Sequence, residues 1–257
     1  MNILAPLQPR LDIDIAFDLI CPWCYLGVRR LRRALRARPD IIPQLLWRPF
    51  LLNPDIPPGG VSRAEFVARK FGGEDRARRL QNALAELGRA EGIGFRFDLM
   101  GRVPSSINAH RLVRYAVREG LGEMMVEALF HAYFADGTDI GDLDRLATLA
   151  GRVGLDPNAA LAFLRSGEEA EAVHTENLRA HRLGINGVPC FIIAGQQAIA
   201  GAQDRNERQF LALENRCLHR RQGRFNGAFR QFEIAGDLIG QELAYFAQQL
   251  AKLHLGA

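Results

Sequence analysis

Two of the four cysteines in the chain stand three positions apart, in the segment 18–27, which reads DLICPWCYLG. Two thiols at this spacing can exchange a disulfide with a substrate, supply half of a metal site, or serve as small buried side chains. A structural zinc site takes four N or S ligands. The chain has one Cys-x-x-Cys pair, while Cys190, Cys217 and the six histidines are scattered. The spacing therefore favours thiol chemistry, and no metal site is predicted.

The residues around this pair predict a strand that leads directly into a helix. Over residues 11–19, apolar residues alternate with polar ones, and Asp18 falls on the polar side of the alternation. This period is typical of a strand with one buried face. Apolar side chains then recur at helical spacing from Cys21 to about Arg36, and Pro39 is expected to end the helix.

The N-terminus of a helix gives the two cysteines different roles. We expect Cys21 at or beside the N-cap, Pro22 at the first helical position, where a missing N–H costs nothing, and Cys24 one turn further on. Free backbone N–H groups and the positive end of the helix dipole stabilise a thiolate, which is the nucleophilic form. Cys21 is therefore predicted to attack a disulfide, and Cys24 to resolve the mixed disulfide that forms.

The predicted strands form two groups, one near the beginning of the chain and one after the long helical region. Residues 43–52 are apolar and favour a second strand, followed by a loop rich in proline and glycine over 53–60. Residues 190–194 and 197–200 favour a hairpin. Between them the chain is helical by period, apart from an extended piece at 93–97. Because neither pair of strands can stand alone, one sheet built from both ends, with the helices inserted, is the economical arrangement.

Three segments resemble the DsbA-like branch of the thioredoxin-fold oxidoreductases, and within it the FrnE-like group. They are FDLICPWCYLG at 17–27, SINAHRLVRYA at 106–116 and GINGVPCFIIAGQQAIAGAQ at 184–203. The resemblance covers about residues 11–219 and implies an α/β class, with a thioredoxin fold interrupted by a large inserted α-helical subdomain. The domains expected on this basis are a thioredoxin-like domain at 11–60 and 185–219, an inserted helical subdomain at 61–184, and a C-terminal extension with an amphipathic helix at 220–257.

The same resemblance assigns site residues. It implies that Cys21 attacks and Cys24 resolves, and that Val188-Pro189 is a cis-proline loop lying against the dithiol. A proline there lacks an N–H, so Val188 can offer its backbone to an extended substrate. We therefore expect thiol or disulfide proteins as substrates.

Further candidate residues carry weaker signals. Pro22 and Trp23, between the cysteines, are expected to contact substrate. His110 lies on the helix that the resemblance places above the site, so it could tune Cys21 or contact substrate; a hydrogen bond to a neighbouring helix is the alternative. Asn53, at the end of the second strand, is a candidate for a polar contact with the substrate. Cys190 could act as a third thiol, although free cysteine is among the most buried residue types and a core position is favoured.

Two other functions stay open. The kappa-class glutathione transferases and the 2-hydroxychromene-2-carboxylate isomerases look similar over residues 106–115 and in the Gly201-Ala202-Gln203 turn, but they typically place serine where this chain has Cys21. This alternative is a glutathione-dependent isomerase or transferase acting on a small aromatic compound, and it makes glutathione a candidate co-substrate; no other cofactor is expected. A non-enzymatic metal-binding or holdase-like protein is the third interpretation.

The charge and the apolar runs of the sequence limit the classes of binding partner that we expect. The net charge of +4 is too small and too dispersed to favour nucleic acid binding. The six arginines between Arg29 and Arg38 are predicted to form a solvated helix face, where cations suit the dipole. The first twenty residues lack an apolar targeting segment, and no apolar run long enough to span a membrane follows. We therefore expect a cytoplasmic protein without membrane partners, either a monomer or a homodimer.

Overall fold

A computed structural model describes residues 10–202 of the chain. Its strands are β1 (Arg10–Phe17), β2 (Ile42–Pro49), β3 (Val61–Ser62), β4 (Arg102–Val103), β5 (Cys190–Ile193) and β6 (Gln197–Ala200). Its α-helices are α1 (Pro22–Arg36), α2 (Arg63–Phe71), α3 (Glu74–Ala90), α4 (Ile107–Arg118), α5 (Gly122–Phe134), α6 (Leu143–Arg152), α7 (Pro157–Ser166) and α8 (Ala170–Arg182). A short 3₁₀ turn lies at Phe97–Leu99.

The main sheet joins the two ends of the described chain. Its order is β2-β1-β5-β6: β1 pairs in parallel with β2 and antiparallel with β5, and β5 pairs antiparallel with β6. Helix α1 connects the parallel strands, as a parallel pair requires. All seven other α-helices of the described chain lie between β2 and β5. These features confirm the α/β class and the helical insertion predicted from the sequence.

One hydrophobic core joins the sheet to the inserted helices. The ring of Tyr25 on α1 stacks on Phe130 of α5, with ring centroids 5.0 Å apart and an interplanar angle of 11°. Phe17, at the end of β1, packs edge-on against Phe130 and Trp47. Since α5 covers the beginning of α1 in this way, the insertion helps to hold the segment that carries the dithiol.

Residues 93–96 are irregular and lead into the 3₁₀ turn, so they interrupt the helices as predicted. One prediction about local structure is wrong. The arginines of α1 do not form a solvated face, because Arg29 and Arg32 pair with Glu127 of α5, while Arg30 is buried against Glu91, with Nε 3.2 Å from Oε1. Glu91, which directly follows α3, and Glu127 of α5 thus make this arginine face an interface. The predicted C-terminal extension with its amphipathic helix, at 220–257, lies outside the described residues, and the three-part domain division stays a prediction.

Candidate active site

Cys21 occupies the N-cap of α1, as predicted. Its backbone is extended (φ −97°, ψ 112°), and Pro22 takes the first helical position. The backbone N–H of Cys21 donates to the carbonyl of Asp18 at 3.1 Å, which forms a tight turn between β1 and α1. The first turn of α1 contains no acidic side chain that would compete for the helix N-terminus. The turn therefore places the Cys21 thiol at the positive end of the α1 dipole.

Cys24 lies one turn into α1 and is fully buried. Its Sγ accepts a hydrogen bond from the backbone N–H of Asp18 at 3.5 Å. Burial raises the pKa of the Cys24 thiol well above its ordinary value, and the neighbouring Cys21 thiol acts in the same direction. Cys21, also buried, keeps 4% of its surface exposed. The two sulfurs therefore differ in environment, with the protonated form of Cys24 strongly favoured at neutral pH.

The segment before β5 completes the wall of the site next to Cys21. The Val188-Pro189 peptide bond is cis. The Cys21 thiol donates to the carbonyl oxygen of Val188, with the sulfur and oxygen 3.7 Å apart. The structure thus brings together Cys21, Cys24 and the Val188-Pro189 loop from opposite ends of the described chain.

Asp18 is a site residue whose expected position is wrong. The alternation predicts Asp18 on the polar face of the first strand, but β1 ends at Phe17 and Asp18 is 0% exposed. Its carboxylate accepts the backbone N–H of Leu52 at 2.8 Å and that of Ile20 at 3.3 Å. Its backbone bonds both Cys21 and Cys24. Asp18 therefore ties the turn that carries the dithiol to the end of β2.

His110 lies directly beside Asp18. Its Nε2 is 3.6 Å from Oδ1 of Asp18, and both side chains are fully buried. The imidazole packs edge-on against Phe17, with ring centroids 5.0 Å apart. Within residues 10–202, neither ring nitrogen has a hydrogen-bond partner. The helix α4 thus brings His110 to the inner side of the dithiol turn, and its predicted role in tuning Cys21 or contacting substrate stays a prediction.

The other candidate residues lie in different surroundings. Pro22 and Trp23 are partly exposed at the start of α1. The Asn53 side chain accepts from Nζ of Lys70 at 3.3 Å, so its amide oxygen faces α2. Cys190 is buried at the start of β5, opposite Ala16 of β1, and burial raises its pKa to about 11. A buried thiol of this kind is a weak nucleophile at neutral pH.

Within residues 10–202, no three His, Cys, Asp or Glu side chains cluster as ligands for a metal ion would. None of the helices in this part of the chain combines the length and the apolar character needed to cross a membrane.

Comparison with known proteins places this geometry in a family. The family described as the DSBA-like thioredoxin domain matches residues 12–209. A crystal structure described as a "probable DsbA oxidoreductase" from Streptomyces coelicolor is 27% identical, with a TM-score of 0.74, over 88% of this chain and 97% of that one. The 2-hydroxychromene-2-carboxylate isomerase of Sphingobium xenophagum is 26% identical over 72% of this chain and 89% of its own length. YwbO of Bacillus subtilis strain 168, a protein described as uncharacterized, is 24% identical over 76% and 92%.

Proposed function

Because the chain belongs to the DsbA-like thioredoxin-domain family, we propose that it is a thiol–disulfide oxidoreductase in which Cys21 attacks and Cys24 resolves. The observation that carries this proposal is the asymmetry of the two thiols. Cys21 caps a helix N-terminus, whereas Cys24 is buried with a strongly raised pKa. Such an arrangement places one thiol at the positive end of a helix dipole and keeps the other protonated until the second step.

The proposed exchange proceeds in two steps. The thiolate of Cys21 attacks one sulfur of a substrate disulfide, forms a mixed disulfide and expels the first substrate thiolate, which takes up a proton. Cys24 then loses its proton and attacks Cys21, which forms the Cys21–Cys24 disulfide and releases the second substrate thiolate. The substrate gains two electrons and the protein loses two. The reverse sequence oxidises a dithiol.

The second step requires Cys24 to ionise although it is buried. In the reduced protein, the hydrogen bond and the charge of Cys21 both raise the pKa of Cys24. Once the sulfur of Cys21 is bonded to substrate, it can no longer carry a charge, so this contribution disappears. The formation of the mixed disulfide thereby promotes the ionisation of the resolving thiol. The Val188 carbonyl at 3.7 Å from Cys21 marks the wall along which an extended substrate would lie.

The test is disulfide exchange by the wild type and by Cys21→Ser, measured as insulin reduction and as refolding of scrambled ribonuclease. We expect the substitution to abolish both activities. The unfolding curve of Cys21→Ser should stay close to that of the reduced wild type. Full activity in Cys21→Ser would refute the proposal. Protein disulfides and glutathione disulfide are both tried as substrates, since both classes are proposed.

The relationship to the 2-hydroxychromene-2-carboxylate isomerase favours one second candidate, a glutathione-dependent isomerase acting on a small aromatic compound. Under this alternative, glutathione would be held by the protein, and Cys21→Ser would retain activity because serine is typical of those relatives at this position. Retention of glutathione during purification, together with turnover of a hydroxychromene carboxylate by Cys21→Ser, would favour the isomerase over the oxidoreductase.

A further inference from the structure

Gly27 lies on the same face of α1 as Cys24, one turn further along the helix. A Cβ atom at this position would stand 2.8 Å from Cγ of Pro189 and 3.2 Å from Cζ of Phe191. The first of these distances is shorter than real Cβ atoms tolerate. The pyrrolidine ring of Pro189 therefore occupies the space that any side chain at position 27 would fill.

The loop that carries this ring is fixed from a second side. The carbonyl oxygen of Pro189 accepts the backbone N–H of Gly201, just after β6, at 2.8 Å. The preceding carbonyl, that of Val188, lies 3.7 Å from Sγ of Cys21. The depth to which the Pro189 ring sits against α1 thus controls the separation between this carbonyl and the thiol.

From these contacts we infer that Gly27 is a positioning residue for the dithiol, because its missing side chain lets the Val188-Pro189 loop approach Cys21. The inference deepens the proposed function and rests on it for its relevance to exchange. A carbonyl oxygen accepts a hydrogen bond from a thiol but repels a thiolate. Moving this oxygen away therefore changes the relative stabilities of the reduced pair and the disulfide.

The experiment measures the equilibrium between the protein dithiol and glutathione disulfide. In this reaction the Cys21–Cys24 bond forms, the glutathione disulfide bond breaks, and the two protons of the dithiol pass to two glutathione thiols. We expect Gly27→Ala to shift the equilibrium at least fivefold, equivalent to about 20 mV at 29.6 mV per tenfold change. Alkylation of Cys21 by iodoacetamide at neutral pH should become faster by a similar factor.

Gly151→Ala is the matched control. Gly151 is also a helical glycine, in α6, but a Cβ there would meet its nearest neighbour at an ordinary 3.5 Å. Both substitutions remove the same conformational freedom from a helix. The control should therefore stay within twofold of the wild type in both measurements, and an equal shift in the two variants would overturn the inference.

A double-mutant cycle tests whether the effect passes through the proline ring. In Pro189→Ala the ring is absent, so adding Gly27→Ala should change the equilibrium by less than twofold. The same shift in both backgrounds, or no shift in the wild-type background, would contradict the inference. If Gly27→Ala alone fails to fold, folding of Gly27→Ala/Pro189→Ala supports the steric contact, and failure of both overturns it.

The outcome is separable from that of the proposed function. The glutathione equilibrium is measured on the thiols of this protein itself, whereas the proposed function fails when disulfide exchange survives in Cys21→Ser. If Gly27→Ala shifts the glutathione equilibrium but Cys21→Ser keeps its disulfide-exchange activity, the positioning role of Gly27 is supported and the proposed oxidoreductase function is refuted.

Discussion

Asp18→Asn should destabilise the protein although the two side chains have nearly the same shape. The carboxylate of Asp18 accepts two backbone N–H groups, from Ile20 and Leu52, through its two separate oxygens. An amide has one oxygen, so one of these donors would lose its acceptor and face an NH₂ group instead. Leaving a buried donor unsatisfied costs about 1–3 kcal/mol. In a protein of this size, such a loss lowers Tm by about 2–12 °C.

Urea unfolding of the reduced protein at pH 7 measures this loss directly. Asp12→Asn is the control, because Asp12 is exposed on β1 and its substitution should change the unfolding free energy by less than about 0.5 kcal/mol. The disulfide-exchange rate should also fall in Asp18→Asn, since the turn that holds Cys21 depends on the same residue. Equal unfolding midpoints for Asp18→Asn, Asp12→Asn and the wild type would show that the carboxylate does not hold the turn.

Three further predictions concern the rest of the described chain. Burial raises the pKa of the Cys190 thiol from 9.0 to about 11. The stability that the protonated thiol contributes is therefore complete below pH 9 and is lost as the pH rises through 11. At 1.36 kcal/mol per pKa unit, this loss is about 3 kcal/mol of unfolding free energy. Urea unfolding of the oxidised protein at pH 8 and pH 11 should show that loss in the wild type and not in Cys190→Ala, and identical pH slopes would contradict it. Glu91→Gln should lower the free energy of urea unfolding by about 3 kcal/mol, because Glu91 is the buried partner of Arg30 and also pairs with Arg33 at 2.6 Å. A change below about 0.5 kcal/mol would show that the ion pair with Arg30 is replaceable. Peptide mapping of the oxidised protein should find Cys190 as a free thiol, and a disulfide from Cys190 to Cys21 or Cys24 would instead establish a third participant.

The positions of Cys21 and Pro22 could be predicted because the signals are local. A period of two that changes to a helical period, with a proline at the change, sets the end of the strand and the first turn of the helix within a few residues. The register of β1 followed the alternation as far as Ile15, which is fully buried between β2 and β5.

Asp18 could not be placed in the same way. The alternation applies only while the chain is in a strand, and β1 ends one residue before Asp18. From there the turn directs the carboxylate inward, to backbone donors of Ile20 and of the distant Leu52. The signal that could have revealed it is an acidic residue immediately after a buried strand and three positions before the first cysteine.

The other features that the sequence does not predict depend on contacts between distant segments. The approach of Pro189 to Gly27 depends on how β5 packs against α1, which no local pattern encodes. The arginines of α1 gave a local signal for a solvated face, but Glu91, which directly follows α3, and Glu127 of α5 make that face an interface. His110 was predicted near the site, whereas its burial beside Asp18 follows from the packing of α4 against the end of β1.

The most direct test of the two thiol roles is to trap the mixed disulfide in Cys24→Ser. This variant is incubated with glutathione disulfide or with a disulfide-bonded peptide, and its intact mass and peptide map are recorded. We expect a stable adduct on Cys21 that excess dithiothreitol removes, and no accumulated adduct in the wild type, where Cys24 resolves it. An adduct on another cysteine, or equal accumulation in the wild type and in Cys24→Ser, would contradict the assignment of Cys21 as the attacking thiol and Cys24 as the resolving thiol.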